Sequence, residues 1–195
     1  MKLNIEDMIS GDVTRIRYVV RFPNCRRTHP ESVAEHSYFT ALFAMLIGRT
    51  LAVSEATIGL ILQKALIHDV EEAISADLPR PFKYSSPELK AAMDMAAGLA
   101  FKQATHNLIE NEEGLKLEEL WHNAKGGGVA GKIVAFADFL SVLSYLVLEA
   151  ETGNKTIKRH VKELEEYANK FLDPEYGFLR EYFNQAYEIL KRIML

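Results

Sequence analysis

Asp138 is the only charged residue between Lys132 and Glu149, set within Ile133-Val134-Ala135-Phe136-Ala137-Asp138-Phe139-Leu140. A carboxylate in such a run has to find a cation, a hydrogen-bond cluster or a metal ion, or take up a proton, because an unpaired buried charge costs several kcal/mol. His68-Asp69 poses the same problem behind the apolar Ala65-Leu66-Ile67. Adjacent helical residues point about 100° apart, so both side chains can reach one ion lying between them. Glu72 stands at i+4 from His68 and i+3 from Asp69, on the same side of a helix. His36 supplies a second imidazole from another segment. A His, His, Asp, Asp set suits a divalent Mn, Co, Fe, Ni, Zn or Mg ion and leaves positions open for water and a phosphate oxygen. An ion so held brings the pKa of a water toward neutrality and polarises a phosphoryl group, with Glu72 placed to orient or deprotonate the nucleophile.

Helices have to position these groups. Apolar residues recur three and four apart through nearly the whole chain, with no stretch of clean alternation, which predicts an all-α fold without strands. A first helix is expected over residues 3 to 20, followed by a cationic loop from Arg21 to Pro30. Ser32-Val33-Ala34-Glu35 has capping-box spacing, so a helix should run from there to about Leu51 with His36 in its first turn. Ser54 caps the next, which carries His68, Asp69 and Glu72 near its end and is stopped by Leu78-Pro79-Arg80-Pro81. A longer helix is expected from Pro87 to about Ile109, and a charged one ending at Lys125, where Gly126-Gly127-Gly128 breaks the pattern. Lys132 to Glu151, Lys155 to Phe171 and Phe178 to Met194 complete the set.

These residues in this order carry a resemblance. Arg21-Phe22-Pro23, Pro30-Glu31-Ser32-Val33-Ala34-Glu35-His36-Ser37, His68-Asp69-Val70-Glu71-Glu72, Asp77-Leu78-Pro79 and Ala137-Asp138 resemble the HD-domain phosphohydrolases, specifically the YfbR-like 5'-deoxynucleotidases. The resemblance implies a helical HD bundle spanning 1–195 as a single domain. It implies metal binding by His36, His68, Asp69 and Asp138, and a water positioned by Glu72. It also implies phosphate binding by Arg21 and sugar contacts from Asp77 and the turn through Pro79 and Arg80. Lys83 would help to neutralise phosphate, and Phe22, where bacterial nucleotidases have Trp, keeps a stacking surface without the indole donor. The expected reaction is dNMP to deoxynucleoside and phosphate. One alternative is a dNTP triphosphohydrolase like the phage dATP enzymes, to which Arg26, Arg27 and Lys83 would lend charge. Another is a non-catalytic nucleotide-sensing HD module.

A net charge of −4 gives no reason to expect nucleic acid as partner, and 48% hydrophobic residues describe a folded chain rather than a disordered one. Cys25 is the single cysteine, which fits a reducing compartment. No secretory leader pattern follows Met1, and the longest uncharged run, Ser37 to Gly48, is too short for a bilayer, so a cytoplasmic protein without membrane association is expected. The resemblance adds a homo-oligomer. Gly126-Gly127-Gly128-Val129-Ala130-Gly131-Lys132 matches the start of a P-loop, but Ile133 stands where Ser or Thr would ligate magnesium and the preceding segment is helical. His29, in the cationic loop, is a candidate substrate contact, whereas His106, His122 and His160 lack partners at ligand spacing.

Overall fold

The chain folds into helices that enclose a long apolar one. The computed structural model describes residues 3–106, 108 and 112–194. In order come α1 (Ile5–Ser10), a 3-10 turn (Asp12–Arg17), α2 (Val33–Thr50), α3 (Glu55–Ile67), α4 (Glu72–Ser75), α5 (Arg80–Lys83), α6 (Pro87–Ala104), α7 (Glu112–His122), α8 (Gly128–Glu151), α9 (Lys158–Ala168) and α10 (Arg180–Met194). Among the described residues the extended pairing is one isolated antiparallel bridge, Val20 with Ser32.

The predicted caps form. Ser32 accepts from the Glu35 N–H while the Glu35 carboxylate accepts from the Ser32 N–H, so α2 begins in the expected box, and Ser54 caps α3; Ser86, not foreseen in that role, caps α6. Two expected helices are interrupted. The first stops at Gly11, whose extended backbone (ψ 172°) leaves the helix and which donates to the Asp7 carbonyl; a Cβ there would lie 2.3 Å from that oxygen. The helix expected to reach the prolines ends at Ile67. Three-residue bonds then tighten the chain, from Val70 N–H to Ile67 O (3.2 Å) and Glu72 N–H to Asp69 O (3.1 Å). His68 occupies the Ala65 carbonyl through Nδ1 at 2.7 Å, and its side chain takes over part of the helix end. The helix after Pro87 stops at Ala104, and its expected end near Ile109 lies outside the described residues.

α8 is the centre. Ile133, Val134, Ala135, Phe136, Ala137 and Phe139 are fully buried, and α2, α3, α9 and α10 pack around it. This helix is long and apolar enough to cross a membrane, but 67% of its apolar window is buried inside the protein, as in a core helix. A smaller core, with Phe101, Ala104, Val70 and Ala73, gathers Trp121 and Ile16. The tight turn at 68–71 lies between the two cores, so it is braced from both sides.

Entry into α8 is earlier and sharper than the sequence suggested. Gly127 (φ +52°) and Gly128 (φ +65°) turn the chain, and Gly131 packs so closely on the Gly126 carbonyl that a Cβ would sit 1.9 Å from its oxygen. Gly131→Ala should therefore cost about 1–3 kcal/mol by overpacking. Gly98→Ala, in α6 with nothing within 4 Å of the new methyl, should gain about 0.5–1 kcal/mol. Urea denaturation of the two variants checks both signs.

Candidate metal centre and cavity

His36 from α2, His68 and Asp69 from the turn after α3, and Asp138 from α8 converge. His36 Nε2 lies 2.9 Å from Asp138 Oδ1, 3.3 Å from His68 Nε2 and 3.7 Å from Asp69 Oδ2. His68 Nε2 lies 3.1 Å from Asp69 Oδ2 and 3.9 Å from Asp138 Oδ1. Ligand atoms held about 2.1 Å from one ion sit roughly 3 to 3.4 Å from their neighbours; those of His36, His68 and Asp69 lie within 4.8 Å of one another and could hold a divalent metal, with Asp138 Oδ1 beside His36 Nε2. Both imidazoles are buried. Burial, with the Arg21 guanidinium alongside, pushes His36 down to about 3, which keeps it neutral with a lone pair to offer. Its Nδ1 lies 2.9 Å from Ser141 Oγ and 2.8 Å from Arg21 NH1, and the Ser141 hydroxyl donates to the His36 carbonyl (3.3 Å), so the ring is oriented from its far side with Nε2 directed at the cluster.

Lys125 was not foreseen. Its Nζ lies 2.9 Å from Asp138 Oδ2 and 3.2 Å from Asp69 Oδ1. These are the outer oxygens; the inner ones, Asp138 Oδ1 and Asp69 Oδ2, remain directed at the histidines. Although burial opposes the charged forms, Lys125 and the histidines hold both carboxyls well below the usual range. In the sequence Lys125 reads only as the last residue before a glycine run.

Glu72 is buried beside Asp69, with Oε1 3.2 Å from Lys83 Nζ. It is the tight turn, rather than a continuous helix, that brings it there. Burial and the Asp69 charge push its carboxyl well above the usual value. Glu71 is pushed up to about 7 by the same causes and accepts from Trp121 Nε1 at 2.7 Å.

A cavity of about 520 Å³ opens from this cluster, and Arg21, Phe22, Asp77, Pro79, Arg80 and Lys83 all line it. Arg21 NH1 donates to Glu31 Oε2 (3.0 Å) and approaches His36 Nδ1 (2.8 Å), so its other N–H groups are the ones left for a ligand. Phe22 is held at φ +53° by its N–H donating to Asp77 Oδ2 (2.8 Å). Its ring stacks on Tyr145 (5.3 Å) and carries the Arg21 guanidinium at 5.0 Å, so the expected stacking surface is already in use. Arg80 lies over the Tyr167 ring at 4.2 Å.

The cationic loop divides. Arg26 lines the cavity. Arg27 is instead spent on the carbonyls of Arg21 and Phe22. His29 is half exposed and does not line the cavity; its N–H donates to Glu149 Oε1 (2.8 Å) and its carbonyl accepts from Tyr145 Oη (2.8 Å). Sequence reasoning also missed the opposite wall, where Arg159, His160 and Glu163 of α9 face the cavity.

Glu149 anchors the loop. Fully buried, it accepts from the N–H groups of Thr28 and His29 and from the Asn154 amide. Burial would raise its pKa, but those hydrogen bonds hold it at about 2 against an ordinary 4.5. A depressed carboxylate contributes stability above its unfolded pKa and loses it as pH falls through the folded one. Glu149→Gln should cost about 3 kcal/mol at pH 7, and the gap to the parent should close between pH 4.5 and 2 in urea titrations.

Residues 10–187 match the family model described as 5'-deoxynucleotidase YfbR-like. A 5'-deoxynucleotidase of Shewanella oneidensis is 24% identical over 185 residues, covering 91% of this chain and 92% of its own. Among solved structures, a protein of Pyrococcus horikoshii superposes with a TM-score of 0.73 at 20% identity, covering 95% of this chain and 99% of that one. The cyanophage S-2L HD phosphohydrolase DatZ, bound to dA and one catalytic Zn2+ ion, superposes with a TM-score of 0.66 at 20% identity, covering 94% and 96%. These structural likenesses support the helical fold. With the family match running from before Arg21 to beyond α9, the chain belongs to the YfbR-like 5'-deoxynucleotidase family.

Proposed function

We propose that this protein is a divalent-metal-dependent 5'-deoxynucleotidase, a single HD domain over residues 1–195 that converts a dNMP and water to a deoxynucleoside and phosphate. One observation carries the reading. His36, His68, Asp69 and Asp138 converge with both carboxylates held from outside by Lys125, and Asp69, Asp138 and Lys125 line a cavity that carries further cations.

A divalent ion there would polarise the phosphoryl group and acidify water. Zinc is supported by the cyanophage enzyme, and the mixed imidazole and carboxylate donors also accept Mn, Co, Ni, Fe or Mg. Glu72, with its raised pKa, receives the proton of the attacking water as the oxygen adds to phosphorus; the 5' oxygen leaves with the electron pair of the broken P–O bond and takes that proton from Glu72, which returns to its starting carboxylate. Arg21 and Lys83 neutralise the non-bridging oxygens. Asp77 Oδ2 is engaged with Phe22, and its other oxygen is left for a sugar hydroxyl beside Pro79 and Arg80. The commitment of Arg27 to backbone carbonyls removes one cation from a longer phosphate chain, which favours the monophosphate over the triphosphate substrate. We place the enzyme in the cytoplasm as a homo-oligomer; the exposed Tyr38, Phe39 and Leu46 of α2 support a self-association face.

Purified protein supplied in turn with each metal should release inorganic phosphate from dNMPs, and chelation should abolish turnover. Triphosphate released from dNTPs alone would select the phage-type reaction, and no turnover with any metal would leave only a binding role. Glu72→Gln should lower kcat by about 10²–10⁴ with little change in KM, read by steady-state kinetics.

A further inference from the structure

The α9 wall lies at a definite height above the metal centre. Asp138, Val142, Tyr145 and Glu149 follow one another along a single face of α8, and Asp138 and Val142 both line the cavity. From Asp138 to Tyr145 the helix rises about 10 Å. Tyr145 supports the Phe22 ring, and the Phe22 ring meets His160 edge-on at 5.1 Å. His160 and its neighbours therefore stand beyond the positions of phosphate and sugar, where the base of a bound nucleotide falls.

That wall has a defined hydrogen-bonding character. Glu163 Oε1 accepts from Arg159 Nε at 2.9 Å, and Glu163 Oε2 lies 3.2 Å from His160 Nδ1. The glutamate is thus held from both sides while facing the cavity, with its side chain 23% exposed against 74% for Arg159. An ordinary i,i+4 ion pair on a helix surface contributes only a few tenths of a kcal/mol and points to water. Here each carboxylate oxygen keeps a lone pair for a ligand, and the terminal guanidinium nitrogens of Arg159 make no hydrogen bond among the described residues.

Resting on the nucleotidase reading, we propose that Glu163 is a specificity-determining residue that selects guanine, with Arg159 as its partner. Two adjacent carboxylate oxygens match two adjacent N–H donors. Guanine presents N1–H and its exocyclic amine side by side, with O6 next to them for the guanidinium. Adenine and cytosine set a lone-pair nitrogen beside their amine, and thymine flanks its single N–H with carbonyls, so each opposes one oxygen of the carboxylate.

The test measures kcat/KM for dGMP, dAMP, dCMP, dTMP and 2'-deoxyinosine 5'-monophosphate, which lacks the exocyclic amine. Calorimetric binding of deoxyguanosine and thymidine is measured in parallel. The parent should rank dGMP first. Glu163→Gln should lower dGMP turnover about tenfold, leave dTMP within about twofold and bring the inosine analogue level with dGMP. Glu163→Ala controls for the amide introduced by Gln, and circular dichroism checks that α9 persists. An equal fall for all substrates, an unchanged ranking, or equal binding of the two nucleosides by the parent overturns the inference. A deoxyguanosine preference that depends on Glu163 without any turnover would uphold it and remove the hydrolase reading instead.

Discussion

Two carboxylates, Asp69 and Asp138, face each other across a buried site, and the rest of the centre is arranged to make that tolerable. Like charges so placed cannot both stay ionised without compensation. Compensation comes from two directions: Lys125 holds the outer oxygens and the two imidazoles face the inner ones. The geometry lets the ammonium and a metal ion act together, because they address different oxygens of the same groups. Lys125 is placed by the glycine turn that follows it, the histidines by Ser141 and the Ala65 carbonyl, and Asp69 by the tightened turn between two cores. Charge balance at one point thus reaches into the backbone of several elements.

The cavity wall depends on a second buried charge of a different kind. Among the described residues Glu149 pairs with no lysine or arginine, and it is satisfied by backbone N–H groups and an amide, with the His29 ring at 4.0 Å. It converts the segment after Arg21 from an open loop into a fixed rim. Arg27 completes the rim from within by donating to carbonyls of the same segment. Arg21 and Phe22 consequently meet a ligand from a rigid frame rather than a mobile arm.

Much of this was legible because its signals are local. The Ser32 box, the Ser54 cap and the isolated Asp138 each declare themselves within a few residues. The break at His68 was hidden because apolar periodicity continues through it, and only the side chain's competition for the Ala65 carbonyl ends the helix. The split at Gly11 carried a visible signal, a glycine followed by Asp12, that periodicity outweighed. Lys125 and the α9 wall were out of reach for another reason. Both act across the tertiary fold, on partners in segments that no sequence spacing connects.

The placement of Asp138, Val142, Tyr145 and Glu149 on one face of α8 has a consequence for how this enzyme can change over time. The floor of the cavity, its side, the support under Phe22 and the clamp on the rim share one rigid ruler graduated in helical turns. Inserting or deleting a single residue between Asp138 and Glu149 would rotate everything beyond it by about 100° and misalign rim and floor together. Lineages that alter the depth of this cavity are therefore expected to do so through the segments around α8, with the length of α8 itself held constant.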